Sequence, residues 1–188
     1  MIASKLEDKN PPYVRDFEYI SDKSFSGDKL LSLEERICKE LNFRLDLVTP
    51  IHYVNNFLRA SHACSSRSCK YDHPVLRQLV LYLLGLSRHI YALCYRKPSL
   101  LAAAAVYLAR ATLQIRDHRY PDHAVHPEGF WTKTLQYYTG YSIEDMKDTV
   151  LKIHRWQLVA ESTETLKGIF LVFKQDARYN AAKKTVVR

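Results

Sequence analysis

The chain has 188 residues, enough for one domain or two small ones. Hydrophobic residues make up 47% and charged residues 26%, with only 5 Gly and 7 Pro, which excludes collagen-like, low-complexity and extensively disordered chains. The net charge of +8 is uneven: 8 Lys/Arg meet 10 Asp/Glu in residues 1–50, 10 meet 2 in residues 51–120, and 10 meet 8 in residues 121–188.

The apolar spacing is helical almost throughout. Pro11-Pro12 ends an opening helical segment and starts a short one. Leu30, Leu33, Ile37 and Leu41 then recur at three- and four-residue steps, a stripe that predicts the core face of a helix. Thr49-Pro50 reads as an N-cap followed by proline at the first helical position. Ala60–Tyr71, rich in Ser, Cys and charge, reads as a loop, and Pro74 opens the next helix. That helix carries Val75, Leu79, Leu83, Leu86 and Ile90 on one face, widened by Leu76, Val80 and Leu84.

Pro98 opens a further helix over Ser99–Leu113, which is apolar nearly all round and is expected to be buried centrally. Its four successive alanines let neighbouring helices approach closely. Ser99–Ala109, the longest mostly apolar run without a charge, is well short of the ~20 residues of a membrane-spanning helix. Asp117–Gly129 reads as a second loop. Thr139-Gly140 is a helix stop, and Ser142 with Asp145 forms a capping-box pattern before a stripe of Ile143, Met146, Val150 and Ile153. No segment alternates with period two over a convincing length, so the predicted class is all-α.

Phe17-Glu-Tyr-Ile-Ser-Asp22 precedes the helix of Leu30, Leu33 and Ile37, and Leu135-Gln-Tyr-Tyr-Thr-Gly140 precedes that of Met146, Val150 and Ile153. Each is a short helix, a polar turn and a longer amphipathic helix. The echo suggests a repeated helical unit.

The positive excess is concentrated between Arg59 and Arg119. It reads either as a basic face for nucleic acid, a phosphoprotein or another acidic partner, or as ordinary solvated charge on helices. Cys38, Cys64, Cys69 and Cys94 occur without a basic-then-apolar leader, which favours a reducing compartment and gives no indication of secretion. Cys64 and Cys69 have no second Cys or His pair at zinc spacing, and His118, His123 and His126 with Asp117 and Asp122 read as exposed loop residues. No metal site or cofactor is expected. The phosphate-binding, dinucleotide, metalloprotease and serine-hydrolase motifs are all missing, and the adjacent carboxylates Glu7-Asp8 and Glu34-Glu35 diverge if helical. The 13 tyrosines and 7 phenylalanines spread over helical faces and read as packing residues rather than a base-stacking platform. The residues therefore point to a non-enzymatic, all-helical interaction domain.

Ile2-Ala-Ser-Lys-Leu-Glu-Asp8, Pro11-Pro12-Tyr-Val-Arg-Asp-Phe17, Tyr19-Ile-Ser-Asp22, Leu33-Glu-Glu-Arg-Ile37 and Leu41-Asn-Phe-Arg-Leu45 together resemble the cyclin box of mitotic cyclins of the A/B class. Phe57-Leu-Arg-Ala-Ser61 leans toward the B type. Trp131-Thr-Lys-Thr-Leu-Gln-Tyr-Tyr-Thr-Gly-Tyr-Ser142 resembles a segment of the second box, and Phe173-Lys-Gln-Asp-Ala-Arg-Tyr-Asn180 the signature that follows it. The resemblance covers nearly the whole chain, in order.

It implies the cyclin fold: the C-terminal part of a first box in residues 1–45, a complete five-helix second box in 46–165, and a C-terminal helix and tail in 166–188. Met1 would stand inside the third helix of the first box. The first two helices, the hydrophobic substrate-docking patch on the first of them and any upstream destruction signal are expected to be missing from this sequence, as in a fragment or partial gene model or, alternatively, a reduced cyclin. Part of the apolar stripe of Leu30, Leu33, Ile37 and Leu41 would then be left wet.

The implied function is to bind and activate a cyclin-dependent serine/threonine kinase in G2/M control, in nucleus and cytoplasm, without catalysis by the chain itself. By position, Lys5 and Glu34 would hydrogen-bond the kinase's mobile regulatory helix and its preceding backbone. Ile2, Leu6, Cys38, Phe43 and Leu45 match apolar contact positions nearby. Glu34 and Cys38, four residues apart, would share a face distinct from the Leu33/Ile37/Leu41 stripe. The Arg59–Arg119 stretch would meet the kinase's phosphorylated activation segment or an accessory phosphoprotein; no membrane contact is expected, and direct nucleic-acid binding is disfavoured. The alternative is the two-box general transcription initiation factor B, which binds DNA; the net charge fits it, but the Ala-Ser-Lys-Leu-Glu and Pro-Pro segments fit cyclin better.

Overall fold

In a computed structural model, the structure describes residues 1–63, 73–115, 129–175 and 181–183. The chain divides into two compact units, Met1–Leu47 and Val48–Arg188. Among the described residues all regular structure is helical.

The first unit holds α1 (Ile2–Glu7), α2 (Val14–Ile20) and α3 (Gly27–Glu40). The helix after the proline pair starts at Val14 rather than at Pro12. Asp16 sets this start, because its carboxylate accepts a 2.7 Å hydrogen bond from the Tyr13 N–H. α3 begins where Ser26 Oγ accepts from the Lys29 N–H. Its first residue, Gly27, lies so close to α2 that a Cβ there would stand 3.0 Å from Val14 Cγ1. α3 ends in a double left-handed turn: Asn42 (φ 48°) and Phe43 (φ 56°) follow the last helical residues, and Phe43 N–H donates to Cys38 O at 2.8 Å. That bond satisfies a carbonyl the helix end would otherwise leave open.

The predicted core stripe of α3 is not a core here. Leu33, Ile37 and Leu41 are 41%, 46% and 48% exposed, whereas Cys38 is buried. In this unit α3, of 14 residues, is accompanied by α1 and α2, of 6 and 7 residues. The expectation of a wet apolar face is what this unit displays.

The second unit holds α4 (Pro50–Ala63), α5 (His73–Ser87), a 3₁₀ turn (Tyr91–Leu93), α6 (Pro98–Thr112), α7 (Lys133–Thr139), α8 (Ile143–Val159), α9 (Glu164–Lys174) and a 3₁₀ turn at Ala181–Lys183. α6 is the central rod, as its composition predicted. Ala102 through Val106 are fully buried, and α4, α5 and α8 all pack against it. α5 carries Leu79, Val80, Leu83 and Leu86 into the same core, and α9 covers α5, with Gly85 against Ile169. The predicted boundary between 165 and 166 falls inside α9.

Local signals act as read. Thr49 N–H and the His52 ring nitrogen bond at 3.0 Å before Pro50 opens α4. Gly140 stops α7 with φ 74°, and Ser142 and Asp145 close a reciprocal capping box on α8. The α2–turn–α3 and α7–turn–α8 arrangements repeat one another: a seven-residue helix, then a serine-capped longer one.

Two further expectations are corrected. The loop predicted from Ala60 begins later, because α4 runs on to Ala63 with Ala60 and Ser61 buried. The rest of that loop, with Cys64 and Cys69, lies outside the described residues, as do Asp117, His118, Asp122, His123 and His126. Arg110, counted with the basic face, is fully buried. Its Nε donates to Phe130 O at 2.9 Å, and its Nη1 to Ser61 Oγ at 2.6 Å and Ser61 O at 3.2 Å. Arg110 therefore ties the end of α4 to the segment before α7 and is not available to a partner.

Candidate functional site

The candidate site lies in the first unit. Lys5 is on α1 and Glu34 on α3, 29 residues apart in sequence. The structure joins them directly: Lys5 Nζ donates to Glu34 Oε2 at 2.7 Å. The Lys5 side chain is 46% exposed and that of Glu34 17%. A pair this open is worth roughly 1 kcal/mol or less to the fold. Its value lies in placement. The ammonium keeps donors free for a partner, and a carboxylate has lone pairs beyond the one bond shown.

The adjacent carboxylate takes a different partner. Glu35 binds Lys39, four residues along the same helix, at 2.5 Å. The Lys39 ammonium lowers the Glu35 pKa, first through that hydrogen bond and then through its charge. Successive residues on a helix point apart, so Glu34 reaches across to α1 while Glu35 stays on its own helix.

The other predicted residues are distributed around this pair. Ile2 is half-buried at the start of α1, and Leu6, next to Lys5, is exposed. Cys38 lies one turn beyond Glu34 on α3 but is buried, so its side chain packs within the protein rather than offering an open contact. Phe43 is 69% exposed and is held there by the left-handed turn that ends α3. Leu45 is half-buried, its N–H donating to Phe43 O at 3.0 Å.

The exposed face of Leu33, Ile37 and Leu41 has the periodicity of a core; the signal that part of it would be left wet came from the family resemblance, not from the spacing.

The pair presents a hydrogen-bond donor and an acceptor side by side on two helices. Among the described residues no group of three or more His, Cys, Asp or Glu is placed to hold a metal ion, and no helix is long and apolar enough to cross a membrane. In the second unit, a cleft of about 700 Å³ is lined, among the described residues, by Tyr53, Asn56, Phe57, Arg59, Ser99 and Tyr138. The Arg96 guanidinium donates to Asp148 at 2.9 Å, and Lys152 binds the same carboxylate at 2.8 Å. Asp148 consequently has a lowered pKa, with the Lys152 hydrogen bond the leading cause.

Residues 1–46 match the family model of the cyclin N-terminal domain, and residues 48–186 that of the cyclin C-terminal domain. Among curated proteins, the chain is 35% identical to cyclin-A2-2 of Arabidopsis thaliana over 84% of its length, and 34% identical to cyclin-A2-1 of the same plant over 93%. It is 26% identical to the G2/mitotic-specific cyclin-B3 of Gallus gallus over 98%. These stretches cover 33%, 36% and 40% of the three relatives, so the chain spans little more than a third of their length.

Proposed function

The chain belongs to the cyclin family, in its mitotic A/B class, and from that premise we propose that it is a regulatory subunit that binds and activates a cyclin-dependent serine/threonine kinase in cell-cycle control. The observation that carries this reading is the Lys5–Glu34 pair, two residues assigned by family position that meet at 2.7 Å across two helices. The kinase's mobile regulatory helix docks on α1 and α3. Lys5 donates to one end of that helix or its preceding backbone, and Glu34 accepts at the other. Leu6 and Phe43 supply exposed apolar contact, with Ile2 and Leu45 half-buried beside them in sequence; Cys38 supports the face from within.

The chain then acts by population shift. Binding energy favours the inward position of the kinase helix, which brings its glutamate to the ATP-binding lysine. The chain gives no atom to phosphoryl transfer. It works in nucleus and cytoplasm, where its kinase and its substrates meet. No finding supports the transcription-factor alternative.

A second contact is proposed for an acidic or phosphorylated partner. With Arg110 interior and Arg96 paired to Asp148, its cations among the described residues are Arg59, Arg77, Arg88 and Lys97.

The kinase reading is tested by titrating the protein into a monomeric cyclin-dependent kinase and following histone phosphorylation and affinity. Lys5→Ala or Glu34→Ala should weaken binding by about 1–3 kcal/mol, as expected when a charged hydrogen bond is lost in an interface. Unchanged affinity in both variants sinks the assigned face.

A further inference from the structure

The connection between α5 and α6 has an unusual surface. Residues 73–115 hold five cations (Arg77, Arg88, Arg96, Lys97 and Arg110) and no acid. Three of these cluster in the ten residues that link α5 to α6, where His89 adds a titratable ring. Arg88, His89 and Lys97 are exposed and carry no ion pair among the described residues.

Between them stand two large exposed aromatics. Tyr91 is 75% and Tyr95 82% exposed. Their rings meet edge to face at 5.9 Å, and their hydroxyls are 3.0 Å apart. The 3₁₀ turn at Tyr91–Leu93 is anchored by buried Ile90 and Leu93, so this surface is built on fixed backbone. Next to it opens a cleft of about 430 Å³, lined by Tyr95, Arg96, Lys97, Leu100, Gly140, Tyr141 and Asp145. At Gly140 a Cβ would meet nothing within 4 Å, so the backbone there is open to a ligand.

We propose that the Tyr91–Lys97 surface and this cleft dock an acidic peptide segment of a partner protein. Its carboxylates or phosphates would lie at Arg88, His89 and Lys97, and an adjacent apolar or aromatic side chain would lie against Tyr95 in the cleft. The proposal rests on the acidic-partner reading of the basic stretch; it gives that partner a site and a chemistry, and it does not involve the α1–α3 face.

Charge complementarity selects the occupant. A uniform polyanion such as single-stranded nucleic acid is disfavoured, because Asp145 lines the cleft and Asp148 already sits on Arg96. The edge-to-face tyrosines also form a corner rather than the row of parallel faces on which bases stack. A peptide can place acids over the cations and a neutral side chain past Asp145, whose carboxylate is engaged by Ser142 N–H at 2.8 Å and Ser142 Oγ at 2.7 Å.

The test uses a fluorescein-labelled peptide of Glu-Glu-Tyr repeats, with oligo(dT) of equal length as competitor, in anisotropy titrations at low salt. Arg88→Glu with Lys97→Glu should weaken peptide binding by about tenfold or more, and Tyr91→Ser with Tyr95→Ser by a comparable factor. Lys133→Glu, a charge reversal on α7, should leave it unchanged. All changed residues are exposed, and circular dichroism confirms that each variant is folded. Cys94, exposed between the two tyrosines, supplies a positional readout: bound peptide should slow its alkylation, followed by mass spectrometry. No binding of the peptide overturns both this proposal and the acidic-partner reading. Binding that the four substitutions do not alter, or that leaves Cys94 unprotected, overturns this site and spares that reading. Tighter binding of oligo(dT) than of peptide overturns the choice of occupant.

Discussion

Removing the Arg110 side chain should be among the most damaging single changes in the second unit. Arg110 is fully buried, and three of its hydrogen bonds fall on Phe130 O, Ser61 O and Ser61 Oγ. A hydrogen bond with a charged donor contributes about 1.5–3 kcal/mol, and an acceptor left buried without a donor costs about 1–3 kcal/mol. These terms overlap, and water can enter part of the space, so Arg110→Ala should cost about 3–5 kcal/mol, in the range for emptying a buried site of a large side chain and leaving its acceptors unpaired. Against a total stability of about 5–15 kcal/mol, that is a large fraction. Arg110→Met separates packing from bonding, since it restores most of the stem and none of the donors. If the donors carry the effect, Met should recover less than about half of the loss. Urea unfolding followed by circular dichroism reads both variants, and a midpoint shift at constant slope reports stability alone. A loss below about 1 kcal/mol for Ala, or Met matching the parent protein, refutes the clamp.

Other consequences are local. Ser142→Ala removes the α8 cap and should cost about 1 kcal/mol by the same assay. Ser142 also lowers the Asp145 pKa, through its hydroxyl first and then its backbone N–H, so the cap's contribution is present above the ordinary carboxylate value and is lost as pH falls through the depressed one. The parent's acid-unfolding curve below about pH 4 should therefore flatten in Ser142→Ala. Gly140→Ala places a side chain at φ 74° and should cost about 1–2 kcal/mol, with Gly140→Asn costing less, by thermal denaturation. Tyr82 is buried, its hydroxyl has no hydrogen-bond partner among the described residues, and burial, reinforced by the charge of Glu161, pushes its pKa up to about 12. Because the folded state holds this proton longer than the unfolded chain, stability should fall as pH rises from 10 toward 12. Tyr82→Phe should abolish that component and raise the midpoint at neutral pH, since the ring contact with Phe173 is kept.

The elements most legible in the sequence were those whose signal is local or whose surroundings are uniform. A rod apolar on every side, such as Ser99–Leu113, has few places to go but the centre. Ser142 with Asp145, and Thr139-Gly140, fix helix ends through atoms within a few residues of one another. Arg110 was misread because the spacing of a charge says nothing about the distant carbonyls that can satisfy it. The loop predicted at Ala60 failed for the same reason, since buried Ser61 is held partly by Arg110 from another helix. Leu33, Ile37 and Leu41 have the periodicity of a core face, but periodicity cannot tell whether enough structure is present to cover that face. At the candidate site, Lys5 and Glu34 came from family position alone; spacing gives no hint that residues 29 apart should meet.

Amide hydrogen exchange of the protein with and without its kinase tests the proposed docking face most directly. Protection on binding should concentrate in residues 2–7 and in the segment from Glu34 to Leu45, and it should weaken in parallel with affinity in Lys5→Ala and Glu34→Ala. Tight kinase binding that protects only residues of the second unit, and leaves α1 and α3 exchanging as in the free protein, contradicts the account.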